Sequence, residues 1–392
     1  MTEKPAVVID NGSYMTGAGF AGDDAPKTEF LTKVGRLRHY FTDGSVPNLD
    51  PSVVTKTGLK EYYVGNEVNV KRGILCIKYP VEHAVIDKWE EIEKIWQHAF
   101  EQLAVPSEEH PVFLTEAVNN PRATREKMAE VMMEKFNTPA MFIGIQTVLS
   151  LYAAGRQAGT ALSIGAGATQ VTPVDKGFAI PGASTCLKLG GHDLRLNLAK
   201  ILTEGGYNMS NYCDFLDHAQ NMLEKLCYVA LDFEEEMQSP SKKAKVEDES
   251  YELPDGEIIT PRDEKFRCPE VLFKPSLLGN LNEYDIEEGI HKMCFDTISK
   301  CDFEMHPLLY KNIVLSGGCT MFPGLPERLT KEIQGLVPAA MEVKVIAPEH
   351  RKNSVWIGGS ILASLSTFKE MWITKEQYGE LGPAVIHKCP SA

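Results

Sequence analysis

Long hydrophobic runs are missing from this sequence of 392 residues. The two longest apolar stretches, 141–155 and 355–368, fall short of the roughly 18–20 residues that a membrane helix needs. Both are interrupted by Gly, Ser, Thr or Gln, so they are expected to be buried helices, with no membrane insertion. The opening Met1-Thr2-Glu3-Lys4-Pro5 has no apolar core of the kind a secretory signal carries, and none is expected. Positive charge is in deficit, with 40 Lys+Arg against 54 Asp+Glu and a net charge of −14. Proteins that bind nucleic acid directly usually present a basic surface, so that class is disfavoured. Cysteine occurs nine times, at 76, 186, 213, 227, 268, 294, 301, 319 and 389, without a CxxC pair. The scatter suggests neither a zinc site nor a disulfide framework, and no metal site is expected from it. A reducing compartment, cytosol or nucleus, follows.

What is present is enough for a sizeable core. Hydrophobic residues make up 43% and charged residues 24%, which excludes global disorder. The length favours two domains or one large two-lobed one. Residues 6–9 read as a strand entering Asp10-Asn11-Gly12-Ser13, and 161–173 (ALSIGAGATQVTP) repeat that strand-and-glycine pattern. A third glycine turn follows the strand-like 313–316 at Gly317-Gly318. Residues 89–103 have helical periodicity, with Ile92, Ile95, Trp96 and Phe100 inward. A second helix is expected from Asn120-Pro121, with Pro121 at its first position and Met128, Val131, Met132 and Phe136 on one face. Residues 39–60 carry turn signals without a period and read as a long exposed loop. The polar stretch 234–250 reads as a surface loop; its Lys242-Lys243-Ala244-Lys245 is either a solvated run or a nuclear import signal.

Several ordered stretches resemble actin: GFAGDDAPK (19–27), KYPVEHAVIDKWEEIEKIW (78–96), NTPAMFIGIQTVLSLYAAGR (137–156), EKLCYVALDFEEEM (224–237), ELPDGEIITPRDEKFRCPEVLFKPS (252–276), IVLSGGCTMFPGLPERL (313–329) and SVWIGGSILASLSTFKEMW (354–372). The resemblance runs nearly end to end. It implies an α/β fold of the actin-like ATPase type, two α/β lobes in four subdomains around a central cleft. Carried over by matched sequence, subdomain 1 is 1–31, 80–153 and 354–392. Subdomain 2 is 32–79, with an enlarged loop 39–63. Subdomain 3 is 154–189 and 285–353, and subdomain 4 is 190–284, with the polar loop 234–250. In that family the cleft holds ATP and a divalent metal, and polymerisation triggers hydrolysis.

Such a site needs backbone N–H groups against phosphates, a cation beside them, and carboxylates holding the metal through water. Residues matching the family's ATP contacts are Asp10, Gly12, Ser13, Gln146, Gly165, Gly167, Thr169, Gly191, Glu224, Gly318, Met321 and Lys352. Departures accumulate beside them. Tyr14 replaces a glycine and Gly17 replaces the phosphate-binding lysine; Ser163 and Ala166 replace two aspartates; Gln170 replaces a histidine near the attacking water. Gln220 and Leu223 replace an arginine and a lysine, Cys319 a threonine, and Phe322 a tyrosine. Losing the basic contacts would weaken binding by about 4–9 kcal/mol if the losses add. A pseudo-ATPase is therefore expected, with no catalytic residues, no required cofactor, and ATP at most a weak or structural ligand. Two readings of the remnant stay open. The hairpin glycines persist because their turns need them, with Asp10 bonded to nearby backbone; or nucleotide is still held without turnover. His83 matches a histidine of the family's cleft region and is assigned no chemistry.

Filament contacts differ as well. The loop 39–63 is longer than actin's and carries Pro47 and Pro51; the acidic 279–289 replaces actin's cross-strand plug; the end, 387–392, lacks actin's terminal phenylalanine. The apolar faces around Tyr152 and 361–365 are expected to be core, although in the family the groove beside them, which would here include Gln157, receives partner helices. The sequence therefore predicts a scaffold subunit whose partners are other cytoskeletal or actin-related proteins, in the cytoplasm and cytoskeleton. The alternatives are a divergent ATP-binding actin that still polymerises and a nuclear subunit of a chromatin complex.

Overall fold

A computed structural model of the chain describes residues 4–38, 59–207, 215–238, 250–254, 256–281 and 286–390. It contains two compact units, Met1–Ile145 with Gly359–Pro390, and Gln146–Gly358. The division falls at 145/146 and 358/359.

The first unit is organised by a mixed six-stranded sheet. Its strand Val7–Asn11 runs antiparallel to Met15–Phe20 and parallel to Val112–Glu116, which in turn runs parallel to Ala140–Ile145. Thr28–Leu31 and Ile373–Thr374 form the edges. Val7, Val8 and Ile9 are fully buried, as expected for central strands covered on both faces. The run at 141–155 is not the continuous buried helix that its composition suggested. Ala140–Ile145 is a strand buried along its whole length, and the helix begins only at Gln146. Burial on both faces erases the alternation that would have marked the strand, so periodicity alone could not separate the two.

The helix Trp89–Leu103 forms where expected and buries Ile92, Ile95, Trp96 and Phe100; Ala104 stops it at φ 54°. The next helix is Arg122–Glu130, with Pro121 at the cap position rather than inside it. A π-type turn, Val131–Lys135, extends it. That wider turn keeps Val131 and Met132 in the core, while Phe136 stays half-buried against Phe100, ring centroids 5.6 Å apart. A smaller three-stranded sheet, with Val34–Leu37 between Tyr62–Val64 and Leu75–Lys78, has its own core of Tyr63, Val68 and Leu75. The long-loop reading at 39–60 lies outside the described residues except at Leu59 and Lys60.

The second unit has a five-stranded sheet. Gly159–Ile164 lies antiparallel to Thr169–Asp175 and parallel to Ile313–Ser316; Phe178–Ala179 and Val345–Ile346 complete the order, and Thr185–Leu187 also pairs with Thr169–Asp175. The helices Gly191–Glu204, Phe215–Leu226, Ile290–Ser299 and Leu325–Leu336 share one apolar core with it, including Leu162, Leu194, Leu223 and Leu329.

Two local expectations change. Phe233–Gln238 is a short helix, so the polar segment is not loop from 234; residues 239–249, with the basic run, lie outside the described residues. In the acidic 279–289 segment Gly279 takes φ 57°, and 282–285 lie outside the described residues. The helix Ser354–Ser364 forms inside the second apolar stretch, but Ile361 and Leu365 are 39% and 43% exposed, so this face is not core as expected. Its apolar residues outnumber those that one buried stripe can take. The eight cysteines in the described residues are free thiols, five of them buried.

Candidate functional site: two glycine hairpins

The first hairpin pairs Asp10 with Gly17 and Asn11 with Thr16. The Gly12 N–H donates to the Met15 carbonyl at 3.0 Å, and a Cβ on Gly12 would stand 2.5 Å from that oxygen. The turn itself therefore requires glycine here. Asp10 Oδ1 accepts a bond from the Thr115 hydroxyl at 2.6 Å, a side-chain partner from the neighbouring strand. Asn11 is tied twice: its N–H donates to Thr115 Oγ1 at 3.2 Å, and its Oδ1 accepts from the Trp96 indole at 2.8 Å. Ser13, 5% exposed, accepts from the Ala84 N–H at 3.2 Å. The half-buried Tyr14 receives the Thr32 N–H on its carbonyl at 2.8 Å. Gly17 places no side chain opposite Asp10.

The second hairpin pairs Ser163 with Gln170 and Ile164 with Thr169. Gly165 N–H closes the turn on Ala168 O at 3.0 Å. The carbonyls of Gly165 and Ala166 accept the first two N–H groups of the helix Gly191–Glu204, from Gly191 at 3.0 Å and His192 at 2.8 Å. These are donors that a helix start leaves without intrahelical partners, so the turn serves as the helix's cap. Gly190 permits the approach, since a Cβ there would lie 2.7 Å from both carbonyl oxygens. The Gly190→Ala variant is therefore expected to lose about 1–3 kcal/mol, measured by urea unfolding. A midpoint unchanged from the parent would refute this account of the contact.

Thr169 donates to the Leu189 carbonyl at 2.7 Å, and Gln170 Nε2 reaches Gln146 Oε1 at 3.4 Å. Gly167 is buried in the turn, whereas Gly165 and Ala166 are half-buried. Cys319 Sγ donates to Gly165 O at 3.5 Å. Burial first, then the Glu224 and Asp193 carboxylates, push its thiol up to about 12, so it stays protonated and unreactive near neutrality.

The remaining positions divide sharply. Leu223 is 1% exposed and part of the second unit's core. Gln220 Nε2 donates to Glu224 Oε1 at 2.6 Å, one helical turn on, on a helix face where Glu224 is exposed. Phe322 is also core, whereas Gly318, Met321 and Lys352 are exposed. Asp10, Gly12, Ser13, Tyr14 and Gly17 belong to the first unit and all the other candidates to the second. Sequence reasoning missed Thr115 and Trp96 as the partners that fix Asp10 and Asn11. The available signal was a tryptophan on a core-facing stripe, whose buried N–H needs an acceptor.

Mixed α/β units, each with a glycine-turned hairpin in its main sheet, are the ingredients of the actin-like ATPase fold. The family model described as Actin matches residues 1–390, and the chain belongs to the actin superfamily.

Proposed function

We propose that this actin-family chain is a catalytically silent structural subunit of a cytoskeletal protein assembly, and a poor former of conventional filaments. The observation that carries the reading is the way the replaced positions are absorbed into local structure. Leu223, where the family has a lysine, is core, and Gln220, where it has an arginine, is bonded to Glu224. Such residues do not fit a triphosphate with its divalent metal: Asp10 is the one metal-associated carboxylate kept, and Gly17 supplies no cation. ATP is then at most a weak or structural ligand, and no step of hydrolysis is assigned. Ile361 and Leu365 add exposed apolar surface of the kind that partner proteins cover. The partners on this reading are cytoskeletal or actin-related proteins, in the cytoplasm.

The test is the nucleotide content of the purified full-length chain, followed by calorimetric titration with Mg-ATP and an assay for released phosphate. Folded protein without stoichiometric nucleotide and without turnover is expected. Bound nucleotide with steady hydrolysis, or salt-induced nucleotide-dependent filaments, would replace this reading with a divergent polymerising actin.

A further inference from the structure

The helix Gly191–Glu204 carries a buried arginine that none of the family-matched positions includes. Arg195 is 7% exposed, and its Nε has no hydrogen-bond partner. One terminal nitrogen, Nη2, contacts His192 Nδ1 at 3.2 Å. A guanidinium can only donate, so Nδ1 is the acceptor and the imidazole carries its own proton on Nε2. The guanidinium therefore leans back toward the helix start, the positive end of the helix dipole. No carboxylate among the described residues forms an ion pair with it. Asp193, the acidic residue of that first turn, uses Oδ2 to accept the Gly190 N–H at 2.8 Å.

This is a costly arrangement unless something completes it. A buried charge without a counter-charge is strongly destabilising, and arginines this deeply buried are ordinarily paired. An anion would complete it at Nε, the one atom of this guanidinium that is buried without a partner, and the unused N–H groups of a guanidinium match the paired oxygens of a phosphate. The backbone is not the source of the donors: the first N–H groups of the helix, from Gly191, His192, Asp193 and Leu194, already go to the carbonyls of Gly165, Ala166 and Gly190. We propose that the Arg195 guanidinium, positioned by His192, is a binding site for a phosphate group, carried by a nucleotide or present as the free ion. The site requires neither metal nor hydrolysis, so it goes beyond the silent-subunit reading and does not depend on it.

The experiment titrates the full chain with inorganic phosphate and, separately, with ADP, both without divalent metal. Affinity is read by calorimetry and by the urea midpoint. Saturable binding is expected, weakened at least ~10-fold in Arg195→Met, which removes a charge-assisted pair. Tighter binding of ADP identifies a nucleotide as the source, and equal affinity identifies the free ion. No saturable response, or one equal in parent and variant, overturns the proposal. If Arg195→Met fails to fold, the Arg195 Nε–H resonance of the parent decides: a saturable shift on phosphate addition supports the site, and an unmoved resonance refutes it.

Discussion

Replacing Arg328 by Met is expected to destabilise the chain by about 3–5 kcal/mol, because it leaves a buried carboxylate without its counter-charge. Arg328, on the helix Leu325–Leu336, holds Glu270 through two bonds, Nη1 to Oε2 at 3.0 Å and Nη2 to Oε1 at 2.9 Å. The Glu270 side chain has no exposure and that of Arg328 has 6%. The same guanidinium donates to the Ala230 carbonyl at 2.8 Å and to Glu332 at 2.6 Å, and lies over the Phe273 ring at 4.7 Å. Burial pushes the Glu270 carboxyl upward, and the Arg328 bonds only partly offset it. Removing Arg328 alone should therefore be far worse than removing both charges. Denaturant unfolding of Arg328→Met and of the double variant Arg328→Met/Glu270→Met checks this. The double variant is expected to recover most of the loss, since well-packed apolar replacements of buried pairs are often neutral. A single variant within about 1 kcal/mol of the parent would show that the pair is dispensable.

The second large effect is a stability that falls as pH rises. Glu116 and Arg125 sit 2.9 Å apart with side chains 4% exposed, and Asn120 donates to Glu116 Oε2 at 2.8 Å. Burial outweighs both Arg125 and Asn120 and lifts the Glu116 carboxyl to about 7. Between the unfolded value near 4.3 and that folded value, the native chain binds the extra proton. This contribution is fully present below the unfolded pKa and is lost as pH climbs through about 7. Its ceiling is about 4 kcal/mol. The measurement is the urea midpoint of the parent and of Glu116→Gln across roughly pH 5 to 8. The difference between the two should tilt toward the variant as pH rises; a difference flat with pH would mean that Glu116 titrates normally. The pair also has a mechanical side, because Arg125 Nη2 lies 3.3 Å from the carbonyls of Cys389 and Pro390, near the end of the chain.

The helix Trp89–Leu103 was legible because one face is buried and one is wet, which writes a period into the sequence. Ala140–Ile145 was not, because both of its faces are buried and the period vanishes. The glycine turn could be read at Gly12, where a side chain would meet the Met15 carbonyl and the residue type itself carries the constraint. The pairings that fix the site could not. Trp96 meets Asn11 across 85 positions and Arg328 meets Glu270 across 58, and nothing local specifies such partners. Leu223 shows the intermediate case. A departure from the family pattern is visible in the sequence, but its membership of the core appears only once the helix is placed. Arg195 gave no signal at all, since its burial depends on elements far along the chain.

The cap formed by the Gly165 and Ala166 carbonyls has a consequence for how this chain tolerates change. Main-chain atoms, not the side chains of Ser163, Ala166 or Gln170, tie the turn to the helix Gly191–Glu204. Drift at those three positions therefore alters the chemistry that the hairpin presents without erasing its shape. Substitutions at Gly190 meet the backbone directly and are filtered by folding itself. The outline of the hairpin is in this way held by the main chain, independently of the side chains that it presents.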